Sequence, residues 1–397
     1  MSAVADGKVI FMAKTKKKNH YRSLIVWMIL LFILTAACAA GYLMTKKDLD
    51  ARAEKHKAEV AQTNAELQAE YSAAVAEQRR QESEAAAINA QWPEAATVGW
   101  DVLDLTNYPV AEGYNVSVSR RDMLAGGLLL VNRWHLMPAD LLDDYMVSVN
   151  QFSRADDDKT NNIPTTNAAV SMQQTAVEAL MQLYADARAA GLDMDNIIIK
   201  EGYRSMETQS GYWNDTIAKI GDRYTGDALT ERARQTTAYP GSSDYQAGLS
   251  FQVYNFKSGD KDFSNTPLHQ TEQGKWLYDN CWKYGYVFRF PVQGFPYEDT
   301  VDKSYKTGIS IENNKVYRYV GEANAAVMNV LGLCLEEYVE YVMEHPHFAL
   351  YQDGKLLYEV YRMEGGYGDT QVNIPRDAAS YSVSSDNMGG LVVSIKY

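Results

Sequence analysis

The hydrophobic and polar positions divide the chain into stretches of different character. Residues 23–44 are apolar and uncharged, and their number matches a helix that crosses the hydrocarbon core of a bilayer. Residues 45–92 are rich in Ala, Glu, Gln, Lys and Arg without glycine or proline, which predicts a helical stalk that ends at Trp92. Beyond the stalk, helical and strand periodicities mix without strict alternation, which predicts an α+β fold.

Individual elements follow from the spacing of the apolar residues. Helical spacing predicts helices over residues 171–190, 272–284 and 322–343. Short apolar runs predict strands over residues 128–132, 197–203 and 286–290.

The pattern changes again near the C-terminus. Residues 348–351 and 356–362 flank a turn that contains Asp353-Gly354, which predicts a β-hairpin, and residues 391–397 predict a last strand. We therefore expect a main domain over residues 98–345 and a small β appendage over residues 346–397.

The flanks of the apolar run predict how the chain is placed in a membrane. Residues 1–22 are basic, which places them in the cytoplasm and everything after Met44 outside the cell membrane, as a single-pass protein. Two alternatives remain open: a signal peptide cleaved near residues 37–40, and a lipid attached to Cys38. A weak stalk dimer also remains open, because apolar residues recur near a 4–3 spacing along the stalk.

Composition removes several function classes. The chain has 38 basic and 51 acidic residues and a formal net charge of −13, which disfavours nucleic acid as a partner. Three cysteines exclude a disulfide framework, although Cys281 and Cys334 leave one pairing open beside the simpler interpretation as buried thiols. His345 and His347 form the one close histidine pair, and a loop between domains explains them better than a metal site.

Several short motifs in the main domain belong together. They are Glu201-Gly202-Tyr203-Arg204-Ser205 with Gln209, Pro240-Gly241-Ser242-Ser243-Asp244-Tyr245-Gln246-Ala247-Gly248-Leu249, Gly274-Lys275-Trp276-Leu277, Tyr284-Gly285-Tyr286, Arg289-Phe290-Pro291, Thr307-Gly308-Ile309, Arg318-Tyr319-Val320-Gly321 and Leu335-Glu336-Glu337-Tyr338. In this order and spacing, over about residues 120–345, the chain resembles the VanY-type zinc D-alanyl-D-alanine carboxypeptidases, which have the Hedgehog/DD-peptidase fold.

The resemblance implies a chemistry whose metal ligands this chain has exchanged. The family holds zinc with two His and one Asp, uses a Glu as general base and an Arg to stabilise the oxyanion. The three ligand positions are occupied by Tyr245, Gln252 and Val316, or by Lys315 in place of Val316 if one residue is inserted. No zinc or other cofactor is therefore expected.

Other positions of the family site persist. The resemblance implies that Arg204 keeps the oxyanion role and that the base is Glu312, or Asn313 in the other alignment. The resemblance also implies a set of substrate-binding residues, namely Tyr203, Arg204, Ser243 and Gln246.

These substitutions favour a membrane-anchored homologue without catalysis, which binds peptidoglycan stem peptide or a protein of the membrane or wall. One alternative is an active carboxypeptidase with a non-standard metal site. The other is a wall-assembly scaffold whose cleft has no function.

Overall fold

The computed structural model describes residues 16–89, 92–141, 143–154, 162–310 and 315–397. The chain divides into two units, Met1–Arg79 and Arg80–Tyr397. The described residues of the first unit belong to one long helix, α1 (Lys16–Asn89), whose last residues fall in the second unit. The apolar part of α1 is long enough to cross a membrane, a criterion that a signal sequence near the N-terminus also meets.

The second unit contains shorter helices and four sheets. Its helices are α2 (Arg120–Ala125), α3 (Val149–Ser153), α4 (Gln174–Ala189), α5 (Met206–Ile220), α6 (Gly226–Arg234), α7 (Lys261–Asn265), α8 (Glu272–Asn280), α9 (Ser304–Thr307), α10 (Glu322–Leu331) and α11 (Leu335–Glu344). Its strands are β1 (Trp100–Asp104), β2 (Gly113–Val118), β3 (Met146–Ser148), β4 (Ser171–Gln173), β5 (Ile197–Glu201), β6 (Ser250–Asn255), β7 (Tyr286–Phe288), β8 (Val316–Tyr319), β9 (His347–Gln352), β10 (Lys355–Glu364), β11 (Thr370–Pro375), β12 (Ser380–Ser385) and β13 (Gly390–Lys396). The mixture of helices with antiparallel sheets confirms the predicted α+β class.

A four-stranded sheet in the order β5-β6-β8-β7 carries the residues of the predicted site. One face packs on α4, whose Val177, Leu180 and Tyr184 are buried against the sheet. The Tyr184 hydroxyl donates a hydrogen bond to the carbonyl of Ile197 at 3.0 Å, so this buried phenol has a partner. The other face carries the polar side chains of Ser250, Gln252 and Arg318 as well as that of Val316.

A five-stranded sheet in the order β1-β9-β10-β13-β12 contains most of the C-terminal residues. Its first strand, β1, comes from residues that precede the main motifs and pairs with β9. Phe348, Leu350 and Val360 of this sheet share a buried core with Val327 of α10 and Tyr338 of α11. The C-terminal strands thus pack on helices that carry part of the family motifs, and the boundary near residue 345 remains a prediction.

The strand predicted over residues 128–132 is wrong. This segment is buried and extended but pairs with no strand in the described sheets. Its backbone groups form hydrogen bonds with side chains instead. The Leu128 amide donates to the Ser384 hydroxyl at 2.8 Å, and the Leu129 carbonyl accepts from Arg318 at 2.7 Å. An apolar run alone does not distinguish a paired strand from such a segment.

The single helix predicted over residues 322–343 is two helices. Gly332 follows α10 with a φ of +65°, the left-handed conformation that ends helices, and α11 begins after Cys334. The Glu337 carboxylate accepts a hydrogen bond from the Cys334 amide at 3.0 Å and caps the new helix. The apolar periodicity continues across the break, which is why the sequence pattern misses it.

Candidate functional site

The predicted site lies in a cleft of about 320 Å³ on the polar side of the four-stranded sheet. Its lining comes from the segment before residue 134, the turn after β5, the end of α6, the turn over residues 242–245, β6, and the segments that follow β7 and α9. Arg204, Ser243, Tyr245 and Gln252 lie together there. Tyr203, Gln246 and Val316 do not line the cleft.

The turn that carries Tyr245 is held by buried hydrogen bonds. Gln246 has no exposed surface, and its side-chain oxygen accepts from the Gly241 amide at 2.7 Å and from the Ser243 amide at 3.4 Å. Gly248 ends the turn with a φ of +69°, and a Cβ atom there would lie 2.4 Å from the sulfur of Met146. Gln246 therefore positions its neighbours.

Arg204 is already engaged within the protein. Its Nε and Nη2 atoms donate to the two carboxylate oxygens of Glu201 at 2.6 Å each, and Nη1 donates to Gln209 at 3.2 Å. The guanidinium carbon lies 4.1 Å from the ring centre of Tyr245 and 5.0 Å from that of Tyr212. This bidentate pair and the two rings fix the orientation of Arg204.

The ligand positions do not form a zinc site in the described part of the chain. Burial raises the pKa of the Tyr245 phenol well above its usual range, so the side chain is neutral at physiological pH. Val316 is buried and pairs with Gln252 across β8 and β6, and neither side chain is anionic. No group of three His, Cys, Asp or Glu residues that could hold a metal occurs among the residues described. These donors do not fit the zinc that the resemblance implies.

A buried group of four charged residues lies beneath the cleft. Asp244 accepts from Arg289 at 3.0 Å and from Arg318 at 2.7 Å, and Arg289 also donates to both oxygens of Glu336 at 2.7 and 2.9 Å. Although burial acts to raise the pKa of Asp244, the two guanidinium groups lower it below its usual value, and Arg289 lowers that of Glu336 in the same way. We call Asp244, Arg289, Arg318 and Glu336 the buried quartet.

Among the described residues, Asp244 is the one carboxylate that lines the cleft, and it belongs to the quartet. Asp244 is fixed between two arginines and accepts from the Ser250 hydroxyl as well, so it is not available as a general base. The sequence motifs contain all four residues but give no sign that they meet, because they come from four separate segments.

Two further arginines line the cleft and keep part of their surface exposed. Arg133 donates to Glu231 at 3.2 Å and Arg234 donates to the same carboxylate at 2.8 Å, with exposed side-chain fractions of 38% and 35%. We call Arg133 and Arg234 the rim pair. The sequence analysis missed them, since neither belongs to a family motif.

The remaining predicted residues lie elsewhere. The Tyr203 hydroxyl donates to Asp143. Lys315 is half-buried next to Lys200 and does not line the cleft, and burial lowers its pKa, with Lys200 lowering it further. Glu312 and Asn313 lie outside the described residues.

The histidine and cysteine candidates are also separate from the cleft. His345 contacts Asp104 at 2.9 Å, whereas His347 contacts Glu359 at 2.8 Å, so the two rings face different partners. Cys281 and Cys334 are free buried thiols, and burial raises the pKa of each to about 12.

Comparisons with known proteins agree with the motifs. The family model of VanY, D-alanyl-D-alanine carboxypeptidase, matches residues 169–322. A D-alanyl-D-alanine carboxypeptidase of Enterococcus faecium is 24% identical over 279 residues, which are 70% of this chain and 78% of that protein. The bifunctional D-Ala-D-Ala dipeptidase and D-Ala-D-Ala carboxypeptidase VanXYC of Enterococcus gallinarum is 30% identical over 157 residues, which are 40% of this chain and 73% of that enzyme.

Solved structures show the same fold. The vancomycin resistance D,D-dipeptidase VanXYg, solved with a D-Ala-D-Ala phosphinate analogue, superposes with a TM-score of 0.52 at 22% identity. The match covers 72% of this chain and 99% of that structure.

Proposed function

Because this chain belongs to the VanY family of D-alanyl-D-alanine carboxypeptidases, we propose that it binds a peptidoglycan peptide in the cleft without hydrolysing it. The chain is a carboxypeptidase-like protein related to peptidoglycan. The loss of catalysis, the ligand and the membrane anchor are the parts that we propose.

The contact between Tyr245 and Arg204 is the observation that carries the proposal. Tyr245, at the position predicted to correspond to the first zinc ligand of the family, has its ring centre 4.1 Å from the guanidinium carbon of Arg204. A cation at this position would meet a neutral phenol and a fixed positive charge instead of an imidazole, which opposes its binding. Without a metal or a free carboxylate to activate water, the described cleft lacks the parts that peptide hydrolysis needs.

The rim pair supports binding of a ligand that carries a carboxylate. Two arginines share one partly exposed carboxylate of Glu231, which leaves about one unit of positive charge at the edge of the cleft. Exposed ion pairs of this kind contribute little to stability, so a ligand carboxylate can replace Glu231 at low cost. Ser243 and Arg204 line the wall beside the rim pair and are proposed to contact the same ligand.

The remaining proposals concern the ends of the chain. We propose that residues 23–44 anchor the protein, with residues 1–22 cytoplasmic and residues 45–92 forming the stalk outside. Cleavage or lipidation at this segment is the alternative, and the domain boundaries given above belong to the same proposal.

The test measures metal content, turnover and binding on the full-length chain in detergent. We expect no stoichiometric zinc, no release of D-alanine from a peptide that ends in D-Ala-D-Ala, and saturable binding of that peptide in saturation-transfer NMR. VanXYC from Enterococcus gallinarum serves as the positive control for turnover.

Arginine variants connect binding to the cleft. Arg133→Gln with Arg234→Gln is expected to weaken the peptide at least fivefold, whereas Arg223→Gln, which removes an exposed arginine that does not line the cleft, is expected to change nothing. One tight zinc per chain with turnover would establish the active alternative, and absence of any peptide binding would favour the scaffold.

A further inference from the structure

A second cavity, larger than the cleft, lies on another side of the fold. Its volume is about 470 Å³, and it is bounded by α8 with the short helical turn that follows it, by β7, by residues 291–303 and by the end of α10. It shares no lining residue with the cleft. Nothing in the carboxypeptidase chemistry described above uses it.

Aromatic rings form one corner of this cavity. The rings of Tyr278 and Tyr297 meet at 90° with centres 4.7 Å apart, and Phe288 meets Tyr278 at 63° and 5.7 Å. Trp282 adds a fourth ring, oriented by a hydrogen bond from its Nε1 to the Asp279 carbonyl at 3.0 Å. All four rings line the same cavity.

Two carboxylates add negative charge at the same corner. Asp279 and Asp299 line the cavity, are exposed, and have no hydrogen-bond or ion-pair partner among the residues that the structure describes. Burial raises the pKa of the Tyr278 phenol, and the negative charges of Asp299 and Asp279 raise it further. Burial likewise raises the pKa of Tyr297 to about 12, with Asp279 contributing.

The cations near this corner do not neutralise the two carboxylates. Lys303 lines the cavity, but its Nζ donates to Glu337 at 2.7 Å. The Lys283 ammonium lies 5.6 Å from the ring centre of Trp282 and donates to the Asn280 side chain at 2.8 Å. With Lys303 neutralised by Glu337, the two carboxylates leave about two units of uncompensated negative charge among the described lining residues.

We propose that this cavity binds an organic cation, an alkylammonium group such as the side chain of a lysine in a peptide. Aromatic faces attract a cation through their quadrupoles, and the attraction grows as the cation is desolvated. The unpaired carboxylates supply the opposite charge, and Lys283 beside Trp282 shows that an ammonium is accommodated next to these rings. The site is independent of the proposed cleft function.

The test uses the full-length chain in detergent and small probes followed by ligand-observed NMR. N-acetyl-lysine methylamide is the primary ammonium, N-acetyl-norleucine methylamide is the neutral analogue that lacks the terminal ammonium, and choline is the quaternary ammonium. We expect the lysine derivative to bind at least tenfold more tightly than the norleucine derivative. Tighter binding of choline would identify a quaternary rather than a primary ammonium as the ligand.

Matched variants locate the binding. Asp279→Asn with Asp299→Asn is expected to weaken the cation at least tenfold, and the fold is expected to persist because both side chains are exposed. Glu298→Gln removes one negative charge from the loop that carries Asp299 but does not line the cavity, and is expected to change affinity less than twofold.

Three results would overturn the proposal. They are equal binding of the neutral analogue, an effect of Glu298→Gln as large as that of the double variant, and no saturation by either cation at tens of millimolar. Each leaves the proposed cleft function untouched, because the D-Ala-D-Ala peptide is measured separately with the rim-pair variants.

Discussion

At the residue scale, the buried quartet forms a charged centre beneath the cleft. Arg289 and Arg318 have no exposed side-chain surface, and their hydrogen bonds reach two carboxylates and three backbone carbonyls. Removing one member of a buried ion pair leaves the other charge unpaired, which costs roughly 3–5 kcal/mol. The quartet therefore holds together the segments that build the cleft.

Glu336→Gln tests this role through pH. The pKa of Glu336 is lowered in the folded protein, so its ionised form stabilises the fold above its ordinary pKa of 4.5 and loses this effect as the pH falls below it. We expect the variant to be about 3 kcal/mol less stable than the wild type at pH 6, with the difference shrinking below pH ~4. Chemical unfolding followed by tryptophan fluorescence over this pH range measures it.

Glu340→Gln is the control for that experiment. Glu340 lies on the same helix but is 55% exposed and pairs with Lys306 at the surface. Its replacement should change stability by less than about 1 kcal/mol at any pH. A pH-independent loss in Glu336→Gln would contradict the assignment of its effect to the ionised quartet.

At the element scale, the break between α10 and α11 depends on a single glycine. Gly332 has a φ of +65° and nothing lies within 4 Å of a Cβ atom built there, so the backbone conformation alone opposes a side chain. Gly211 lies inside α5 with ordinary helical φ and equally open surroundings.

The same substitution at these two glycines should have opposite effects. Gly332→Ala is expected to destabilise the fold by about 1 kcal/mol, the cost of a left-handed residue with a Cβ. Gly211→Ala is expected to stabilise it by about 0.5–1 kcal/mol, because alanine favours a helix interior. Thermal melts of both variants measure the two changes in stability. If both substitutions stabilised or both destabilised the protein, the helix break would not depend on Gly332.

At the scale of the whole molecule, the C-terminal sheet shares a buried core with α10 and α11. Phe348, Leu350, Val360 and Val392 are buried in the cluster that contains α10 and α11. We expect a chain that ends at His345 to expose this face, at a cost of roughly 1.5–3 kcal/mol for each large apolar side chain uncovered. Limited proteolysis and a melt of the truncated protein measure this, and a protease-resistant, cooperative product would show that residues 346–397 are a separate appendage.

The proposed orientation in the membrane is a further prediction at this scale. A reporter that is active only outside the cytoplasm, fused after Gly99, is expected to give signal, and one active only in the cytoplasm is not. The same reporters fused after residue 14 should give the opposite result. Cytoplasmic activity at Gly99 would refute the proposed topology, and a mature N-terminus beyond residue 37 would identify cleavage or lipidation instead.

The sequence by itself determined the apolar helix, the α+β class and the family, because periodicity and short motifs are local properties of the chain. It also predicts that Tyr245, Gln252 and Val316, or Lys315 in place of Val316, occupy the ligand positions of the family, a prediction that rests on residue identity alone. Helix α4 and the hairpin of β9 and β10 follow from the same local signals.

The tertiary structure alone decided what Arg204 and the quartet do. Arg204 has a bidentate carboxylate and two rings around it, and Asp244, Arg289, Arg318 and Glu336 meet although up to 92 residues separate them, as the positions 244 and 336 show. Which charges pair, and which cavity keeps unpaired carboxylates beside aromatic rings, depends on contacts between distant segments. A one-dimensional pattern carries no information on those contacts until the chain has folded.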